Sequence, residues 1–338
     1  MLTDITVSFA PHISKKHSTR SVMLDVIIGL APAMIAAVIF FRLYAITLVA
    51  TCVISCMATE GICNLIRKKP NTLDDLSAVI TGIILAFSIP PAFPLWAAIV
   101  GSVFSIAIGK MVFGGLGANI FNPAMVGRAF LTASFGMMMA TWTVPGTIDP
   151  NMPQIAASEN AVDVRTQASP LAYSKNAQKA QYGARELNES VGDIFLGNVG
   201  GCLGETSALA LLIGGIYLLI RKTISFHIPV AVLLSTFIFS GIAYLINSDY
   251  YASPLYHLSS GGLFIGAFFI ATDPVTAPLT RRGMWLFGFG VGTITMLVRI
   301  FGSFPEGMMY SILLMNAVTP LIDRMFKRVP AGGLPSAR

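Results

Sequence analysis

The feature that most constrains this chain is a series of apolar runs, each suited to crossing a lipid bilayer. A helix of about 20 apolar residues spans the hydrocarbon core of a membrane. The first such run covers 22–41 and the second covers 45–65. Only 11% of the 338 residues are charged, whereas about 25% are charged in soluble domains. A chain of this kind cannot cover itself with polar surface, so lipid rather than water is its main solvent.

Ten apolar segments are predicted to be transmembrane helices, five on each side of a central polar stretch. They cover 22–41, 45–65, 76–90, 95–113, 123–140, 197–220, 228–246, 259–272, 284–300 and 307–323. The third and the eighth are short and run into the proline-rich turns SIPPAFP and TDPVTAP. The first segment follows a polar start and lacks a small-residue cleavage site, which favours a membrane span over a signal peptide. The expected fold class is therefore an all-α polytopic membrane protein.

The net charge of +6 is spread over the ends of the predicted spans and forms no patch suited to nucleic acid. Cytoplasmic loops of membrane proteins are enriched in Lys and Arg. If the N-terminus is cytoplasmic, the basic residues fall on the cytoplasmic side, and the external side holds little beyond Arg42 and, at a span end, Arg299. Both termini are therefore expected in the cytoplasm, and the polar stretch 141–196 is expected outside.

A faint internal repeat relates an N-terminal half, 1–140, to a C-terminal half, 197–323, and a basic tail, 324–338, follows. A shift of 184 residues aligns Gly82 with Gly266 and Pro90 with Pro274. Because each half holds five spans, an odd number, the second half must be inserted upside down relative to the first. Inverted repeats with short helices near the membrane midplane characterise many transporters. The expected architecture is two inverted five-helix repeats, similar to that of urea transporters.

The four cysteines all lie within apolar segments. They are Cys52, Cys56, Cys63 and Cys202, and no two of them form a CxxC pair. Neither a disulfide framework nor an iron–sulfur site is indicated by this spacing. We expect these side chains to pack as small hydrophobic groups.

Polar side chains interrupt the start of the fifth predicted span, in the segment GGLGANIFNPAMVGR. They are Asn119, Asn122 and Arg128. Polar groups at membrane depth are costly unless they find partners, so all three are candidate ligand-binding residues. Arg128 has an equally good alternative, because a long basic side chain can extend to the membrane surface.

Two further segments place polar side chains near the ends of predicted spans. GETSALALLIGG puts Glu205 and Thr206 inside the sixth span. An ionisable residue there is a functional candidate, and a hydrogen bond between helices is the alternative. ATDPVTAPLTRRG puts Asp273 at the end of the short eighth span, where it either caps the next segment or faces a cavity that holds ions or a polar ligand.

Three segments, taken together, resemble those of a known family of membrane subunits. They are GANIFNPAMVGRAF, GETSALALLIGG and FIATDPVTAPLTRRG. The family includes the D subunit of the Rnf ion-translocating oxidoreductase and the B subunit of the sodium-pumping NADH:quinone reductase. The resemblance covers nearly the whole chain in matching order, and the compact N-terminus is closer to the Rnf protein.

The resemblance implies a covalent flavin on the external stretch. Members of the family carry flavin mononucleotide (FMN) joined through its phosphate to a hydroxyl side chain, at a site that resembles D-x-x-[ST]-[GA]-A-T. In this chain Asp163, Thr166 and Ala168 fit the pattern, Gln167 departs from it, and Ser169 stands where threonine is expected. Serine also supplies a hydroxyl, so Ser169 is the expected attachment residue. The alternatives are a solvated loop without a cofactor and a structural subunit whose flavin site has decayed.

The resemblance also implies a function, partners and a location. The function is that of a subunit in the bacterial cytoplasmic membrane, not catalytic alone, that helps to couple electron transfer between ferredoxin and NAD to ion translocation. The implied partners are the other Rnf subunits (A, B, C, E and G), a flavin transferase and membrane lipids. The family holds a second, non-covalent flavin (riboflavin) within the helices. A stand-alone channel or transporter of the urea-transporter architecture, without a cofactor, is the alternative from another functional class.

Overall fold

The computed structural model describes residues 18–70, 72–142, 169–180, 191–197, 200–205 and 207–327. Within these ranges the secondary structure is helical throughout, without a strand. The all-α class predicted from the apolar runs is thereby confirmed for this part of the chain.

The N-terminal half consists of four main helices, a fifth that starts the last predicted span, and one short helix. They are α1 (Thr19–Phe41), α2 (Leu43–Ile66), α3 (Ser77–Phe87), α4 (Leu95–Ile106), α5 (Pro123–Ser134) and α6 (Gly136–Met139). A single π-helical turn, Ala107–Met111, continues α4. Such turns are rare and occur frequently at functional sites.

The second part of the chain begins with two helices of the polar stretch, α7 (Pro170–Ala180) and α8 (Val191–Leu196). The membrane half then follows. It contains α9 (Ala208–Ile220), α10 (His227–Ile246), α11 (Pro254–Ser259), α12 (Leu263–Ile265), α13 (Arg281–Phe301) and α14 (Met308–Met325). A second π-helical turn, Gly266–Ile270, continues α12.

Each predicted span contains a helical element, but the elements differ greatly in length. Among the described residues four helices, α1, α2, α10 and α13, are long and apolar enough to cross a membrane by length and composition. The expected short third span is α3, and the expected short eighth span is broken into α11, α12 and a π-helical turn. The chain is therefore an integral membrane protein, and the count of ten spans stays a prediction.

Polar caps fix where several of the helices begin. The Ser18 hydroxyl accepts a hydrogen bond from the Ser21 amide at the start of α1, at 3.2 Å. The Thr280 hydroxyl accepts one from the Gly283 amide at the start of α13, also at 3.2 Å. These side chains satisfy amide groups that have no partner inside the helix. In lipid an unsatisfied amide is especially costly, so such caps set the positions of the helix ends.

The two halves are packed in similar ways. In the first half α2 packs against α3 and α4, and α4 packs against α5. In the second half α10 packs against α11 and α13, and α13 packs against α14. The halves meet where α1 contacts α9 and where α5 contacts α14.

Small residues bring α1 and α9 close together. Gly29 of α1 faces Gly214 of α9, and a Cβ atom added at Gly214 would collide with the carbonyl oxygen of Gly29. Lipid is as apolar as the helix surfaces, so the hydrophobic effect does not drive helices together in a membrane. They associate instead through close packing of this kind. A larger residue at Gly214 would force the two halves apart.

The cysteines pack as predicted. Cys52, Cys56 and Cys202 are fully buried, and Cys63 is half-buried. Cys202 also contacts charged side chains, which the sequence did not indicate.

Candidate functional site

Arg128 and Glu205, two of the residues singled out in the sequence, lie next to each other. Arg128 belongs to α5, and Glu205 ends a short 3₁₀ turn just before α9, so the pair joins the two halves. The Nη2 and Oε1 atoms are 4.0 Å apart, and each side chain is 9% exposed. At this distance the charges attract each other without a direct hydrogen bond. The alternative in which Arg128 extends to the membrane surface is therefore wrong.

Cys202 completes the contacts of this pair. Its Sγ atom lies 3.8 Å from Nη2 of Arg128. Its amide donates a hydrogen bond to Oε2 of Glu205, at 3.3 Å. Within the described residues, Cys202 and Glu205 supply the polar atoms that contact the Arg128 guanidinium, and Glu306 and Tyr310 interact with its charge at longer range. Most of its five N–H donors are therefore left without a protein acceptor there.

Arg299, by contrast, is held by several close acceptors. Nη1 donates to the carbonyl oxygen of His257 at 2.6 Å, and Nη2 donates to that of Ser260 at 3.0 Å. Nη2 also lies 3.1 Å from Oε2 of Glu306. The sequence placed Arg299 at the end of a span, and it lies in the last turn of α13 with its side chain buried. It satisfies carbonyl groups at the end of α11 that have no partner in the helix.

Glu306 lies in the connection between α13 and α14, and its carboxylate is fully used. It accepts hydrogen bonds from the amides of Gly262, Gly307 and Met308, each at 3.0 Å, in addition to the contact with Arg299. The last two amides belong to the start of α14, where negative charge is stabilised by the helix dipole. We call Arg128, Glu205, Arg299 and Glu306 the arginine cluster.

A cavity of about 450 Å³ opens beside the arginine cluster. Its charged lining residues are Arg128 and Glu306, and its aromatic ones are Trp142, Phe304 and Tyr310. Pockets that bind small organic ligands have volumes of about 300–1,000 Å³ and combine apolar walls with a few polar groups. This arginine cavity is therefore suited by size and lining to a small organic ligand.

Ser169 lies one helical turn from the arginine cavity. It directly precedes α7, and its hydroxyl accepts a hydrogen bond from the Ala172 amide at 3.2 Å, which caps the helix. Ala172 itself lines the cavity. Ser169 is only 5% exposed, so the expectation of an open, solvated loop at this residue is wrong. The reason is that α7 is packed onto the membrane part of the protein.

Two side chains fasten α7 to the C-terminal half. The Tyr256 hydroxyl donates to the carbonyl oxygen of Pro170 at 2.5 Å. The Lys175 ammonium donates to the carbonyl oxygens of Val298 and Phe304, at 3.3 and 2.8 Å. Hydrogen bonds from a charged donor such as Lys175 each contribute about 1.5–3 kcal/mol. Together, Tyr256 and Lys175 hold α7 at the mouth of the arginine cavity.

A second, smaller cavity of about 70 Å³ brings the other three candidates together. Asn119, Asn122 and Asp273 all line it. A water molecule needs about 10–15 Å³ of such space, so the cavity is large enough for a few waters or an ion. It is much smaller than the pockets that take organic ligands. We call it the Asp273 pocket.

Asp273 stabilises a turn and also lines a cavity, whereas its binding of an ion or a polar ligand stays a prediction. One carboxylate oxygen accepts from the Val275 amide at 3.3 Å, and the other accepts from the Thr276 hydroxyl at 3.1 Å. These bonds stabilise the turn after the π-helical segment, as an Asp–Pro turn predicts. The same side chain lines the pocket, so capping does not exclude a contact with an ion.

The two asparagines differ in how far their side chains are used. Asn122 caps α5 by accepting from the Met125 amide at 3.3 Å, and its own amide donates to Oδ1 of Asn316 at 3.2 Å. Asn119 donates through Nδ2 to the carbonyl oxygen of Phe121 at 3.1 Å. Its buried Oδ1 has no hydrogen-bond partner within the described part of the chain. Asn122 is thus largely structural, whereas Asn119 keeps an acceptor available.

A buried ion pair between Lys110 and Glu60, which the sequence analysis missed, borders the Asp273 pocket. Nζ of Lys110 lies 2.8 and 2.7 Å from the two carboxylate oxygens of Glu60, and Lys110 lines the pocket. The Thr72 hydroxyl donates to Glu60 at 2.6 Å. The sequence did contain a signal for this pair, because Glu60 and Lys110 are ionisable residues inside predicted spans. Ionisable residues at such positions are usually functional or paired with each other.

Three of the candidates lie outside the described residues. They are Asp163, Thr166 and Thr206. The structure therefore brings Arg128 and Glu205 together at one site and Asn119, Asn122 and Asp273 at another, with Ser169 close to the first.

Comparison with known proteins now adds to this geometry. The model of the NQR2, RnfD, RnfE family matches residues 6–332. The D subunit of the Na⁺-translocating ferredoxin:NAD⁺ oxidoreductase complex of Acetobacterium woodii is 47% identical over 96% of this chain and 94% of its own length. The D subunit of the proton-translocating ferredoxin:NAD⁺ oxidoreductase complex of Clostridium ljungdahlii is 39% identical over 97% and 96%. The D subunit of the ion-translocating oxidoreductase complex of Yersinia enterocolitica is 36% identical over 94% and 95%. The chain belongs to the NQR2, RnfD, RnfE family.

Proposed function

We propose that this chain is the D subunit of an Rnf-type complex, which couples electron transfer between ferredoxin and NAD to ion translocation. The observation that carries the proposal is 47% identity, over nearly the full length of both chains, to a protein with that name. The chain acts as part of the complex and is not catalytic alone. Its location is the bacterial cytoplasmic membrane, with both termini in the cytoplasm, and its partners are the A, B, C, E and G subunits and a flavin transferase.

The identity of the transported ion does not follow from the family. The relative from Acetobacterium woodii is named as Na⁺-translocating, and that from Clostridium ljungdahlii as proton-translocating, at 47% and 39% identity. Both ions must therefore be tested with this chain.

The architecture that we propose is a pair of inverted five-helix repeats. The corresponding contacts in the two halves support it, because α2 packs against α4 in the first half as α10 packs against α13 in the second. So does the meeting of the halves through first helices, α1 and α9, and through last helices, α5 and α14. The middle segment is a short helix, α3, in the first half and a broken helix, α11 and α12, in the second, and short or broken helices of this kind occur at many transport sites.

The chain carries FMN as a phosphoester on Ser169 in this proposal. The hydroxyl lies at the N-terminus of α7, an 11-residue helix. Amide groups there point outward, and the helix dipole stabilises the negative charge of a phosphate. The arginine cavity one turn away has the size and the aromatic walls that a flavin ring requires. When bound, the flavin supplies the electron transfer, while the chain orients the ring and sets its potential through nearby charges.

The burial of Ser169 adds a condition to this proposal. A hydroxyl that is 5% exposed cannot meet a transferase while α7 is docked. The transferase therefore acts either before the Tyr256 and Lys175 hydrogen bonds dock α7, or while α7 is transiently undocked. Docking of α7 then places the ring in the cavity.

The Asp273 pocket has a separate role, in binding an ion or ordered water. Its volume of about 70 Å³ excludes a flavin ring. The carboxylate of Asp273 and the free acceptor of Asn119 both suit a cation or a proton-carrying water.

Mass spectrometry tests the flavin. The chain is co-expressed with a flavin transferase, purified and digested with trypsin, and the peptide from Thr166 to Lys175 is measured. We expect this peptide to carry FMN on Ser169. An unmodified peptide would overturn the covalent flavin, and an unlabelled chain that conducts ions alone would favour the channel.

In-gel fluorescence of variants locates the attachment atom. Ser169→Ala removes the hydroxyl, so we expect the fluorescence of the denatured chain to vanish while the chain still inserts into the membrane. Ser169→Thr should keep the label. Thr166→Ala is the control, because it changes a motif residue without removing the attachment oxygen.

A further inference from the structure

The arginine cluster contains two buried arginines whose surroundings differ in kind. Nη1 and Nη2 of Arg299 have acceptors at 2.6, 3.0 and 3.1 Å, two of them main-chain carbonyls, although its buried Nε has no partner within the described residues. The Arg128 guanidinium has a sulfur at 3.8 Å and a carboxylate oxygen at 4.0 Å. Arg299 therefore links α13 to the end of α11 and to Glu306, whereas most of the N–H donors of Arg128 have no acceptor within the described residues.

The unused capacity of Arg128 faces the arginine cavity. Arg128 lines this cavity, and the residue as a whole is only 7% exposed. Glu205 and Glu306 stabilise the Arg128 charge at longer range. Its N–H donors nevertheless lack close acceptors within the described residues, and a bound ligand with acceptor atoms would supply them. The planar fork of guanidinium N–H groups suits a planar ligand with acceptors on one edge.

The carboxylates nearby do not cancel this preference. Glu306 lines the same cavity, but its charge is met by Arg299 and by three main-chain amides. Glu205 accepts from the Cys202 amide, and it is absent from the cavity lining. Arg128 is thus the charged group of the lining that has donors to offer.

We propose that Arg128 binds the negative charge of a planar, anionic ligand in the arginine cavity. Naming that ligand rests on the proposed function: it is the ring of the flavin tethered at Ser169. A bound flavin ring would take up two electrons from reduced ferredoxin and one proton from water, and would then carry one negative charge. Arg128 would hold its acceptor edge and would favour the reduced, anionic state through the guanidinium charge.

The first test measures the reduction potential of the attached flavin by spectroelectrochemical titration of the purified, labelled chain. Arg128→Gln should lower the midpoint potential, by about 30 mV for each tenfold loss of preference for the reduced form in a two-electron couple. We expect at least a tenfold loss. Arg128→Lys keeps the charge but loses the planar fork, so its potential should lie between the two. A potential in Arg128→Gln that equals that of the unaltered chain would overturn the proposal.

A matched control separates binding from general charge effects. Arg221→Gln makes the same change of charge at a side chain that is 54% exposed and paired with Asp25. Its flavin potential should not change. If Arg128→Gln alone fails to fold, Arg128→Gln with Glu205→Gln keeps the cluster neutral and is used in its place.

The second test does not require the flavin. Ser169→Ala leaves the cavity without a tethered ring, and benzoate serves as a planar anion without redox chemistry. Benzoate should raise the unfolding temperature of Ser169→Ala and should have no effect when Arg128→Gln is added. The proposal would be overturned if benzoate raised the unfolding temperature equally with and without Arg128→Gln, or if it raised neither. If the Ser169 peptide proves unmodified, the proposed covalent flavin fails, and benzoate alone then decides the role of Arg128.

Discussion

Lys110 and Glu60 form an ion pair in which Nζ lies 2.8 and 2.7 Å from the two carboxylate oxygens, with side chains 1% and 0% exposed. The pair joins α2 to the π-helical turn after α4 and also contacts Ser77 at the start of α3. Three elements of the N-terminal half therefore meet at one buried charge pair.

Removing one partner of this pair should destabilise the protein strongly. Lys110→Met leaves the Glu60 charge buried without its counterion, and such losses cost about 3–5 kcal/mol. Lys110→Met together with Glu60→Gln should recover much of that stability, because neither charge remains. Thermal unfolding in detergent measures both effects. A single variant as stable as the unaltered chain would contradict the assignment of this pair as a structural centre.

The Arg221–Asp25 pair provides the control. Its Nη2 and Oδ1 atoms are 3.3 Å apart, but the Arg221 side chain is 54% exposed. Exposed ion pairs contribute about 0–1 kcal/mol. Arg221→Met should therefore shift the unfolding temperature far less than Lys110→Met does.

The charge of Asp273 can be tested separately from its capping role. Asp273→Asn removes the charge but keeps an oxygen that accepts from Val275, whereas Asp273→Ala removes both. We expect Asp273→Asn to assemble with the complex and to lose ion-coupled turnover. Asp273→Ala should also lose turnover and should be less stable. Assembly is measured by co-purification, and coupling by ion uptake into vesicles driven by reduced ferredoxin and NAD.

Normal ion uptake by Asp273→Asn would show that Asp273 only stabilises the turn and is not needed for coupling. Thr276→Val is the matched control, because it removes one hydrogen bond to the same carboxylate and leaves the charge in place. It should keep its coupling.

The helices could be predicted from the sequence because lipid imposes one simple requirement on the chain. Every main-chain amide in the membrane must be paired within its own segment, so long apolar runs become helices. The predicted spans 22–41 and 228–246 correspond closely to α1 and α10. The broken eighth segment was harder, because the π-helical turn at Gly266–Ile270 leaves no simple apolar signature.

The candidate sites could be predicted only in part, because pairing between distant segments is invisible in a single sequence. Arg128 and Glu205 were each chosen as costly polar groups, but nothing indicated that they meet. Arg299 was counted among the charges at span ends, where a residue looks the same in the sequence whether its side chain points outward or inward. Only its hydrogen bonds to His257 and Ser260 show that the side chain is buried inside the protein.

The orientation in the membrane is tested by cysteine labelling. In a chain whose four native cysteines are replaced by alanine, a single cysteine at Gln178 should react with an impermeant thiol reagent in intact cells. One at Lys69 should not, because the basic segment around it is expected in the cytoplasm. The opposite pattern would reverse the orientation and remove the support that an external stretch gives to the flavin.

The docking of α7 gives the last prediction. Lys175 donates to the carbonyl oxygens of Val298 and Phe304, so Lys175→Met removes two charge-assisted hydrogen bonds. The loss of even one such bond, about 1.5–3 kcal/mol, makes the undocked state at least about tenfold more populated, since 1.4 kcal/mol is a factor of ten. Leu171, which is 6% exposed, provides a reporter position. In the cysteine-free chain, Leu171→Cys should react with a thiol reagent at least ten times faster when Lys175→Met is present. Lys175→Arg, which keeps a charged donor, should leave the rate nearly unchanged. Equal rates with methionine and with lysine at this position would show that α7 is held by other contacts.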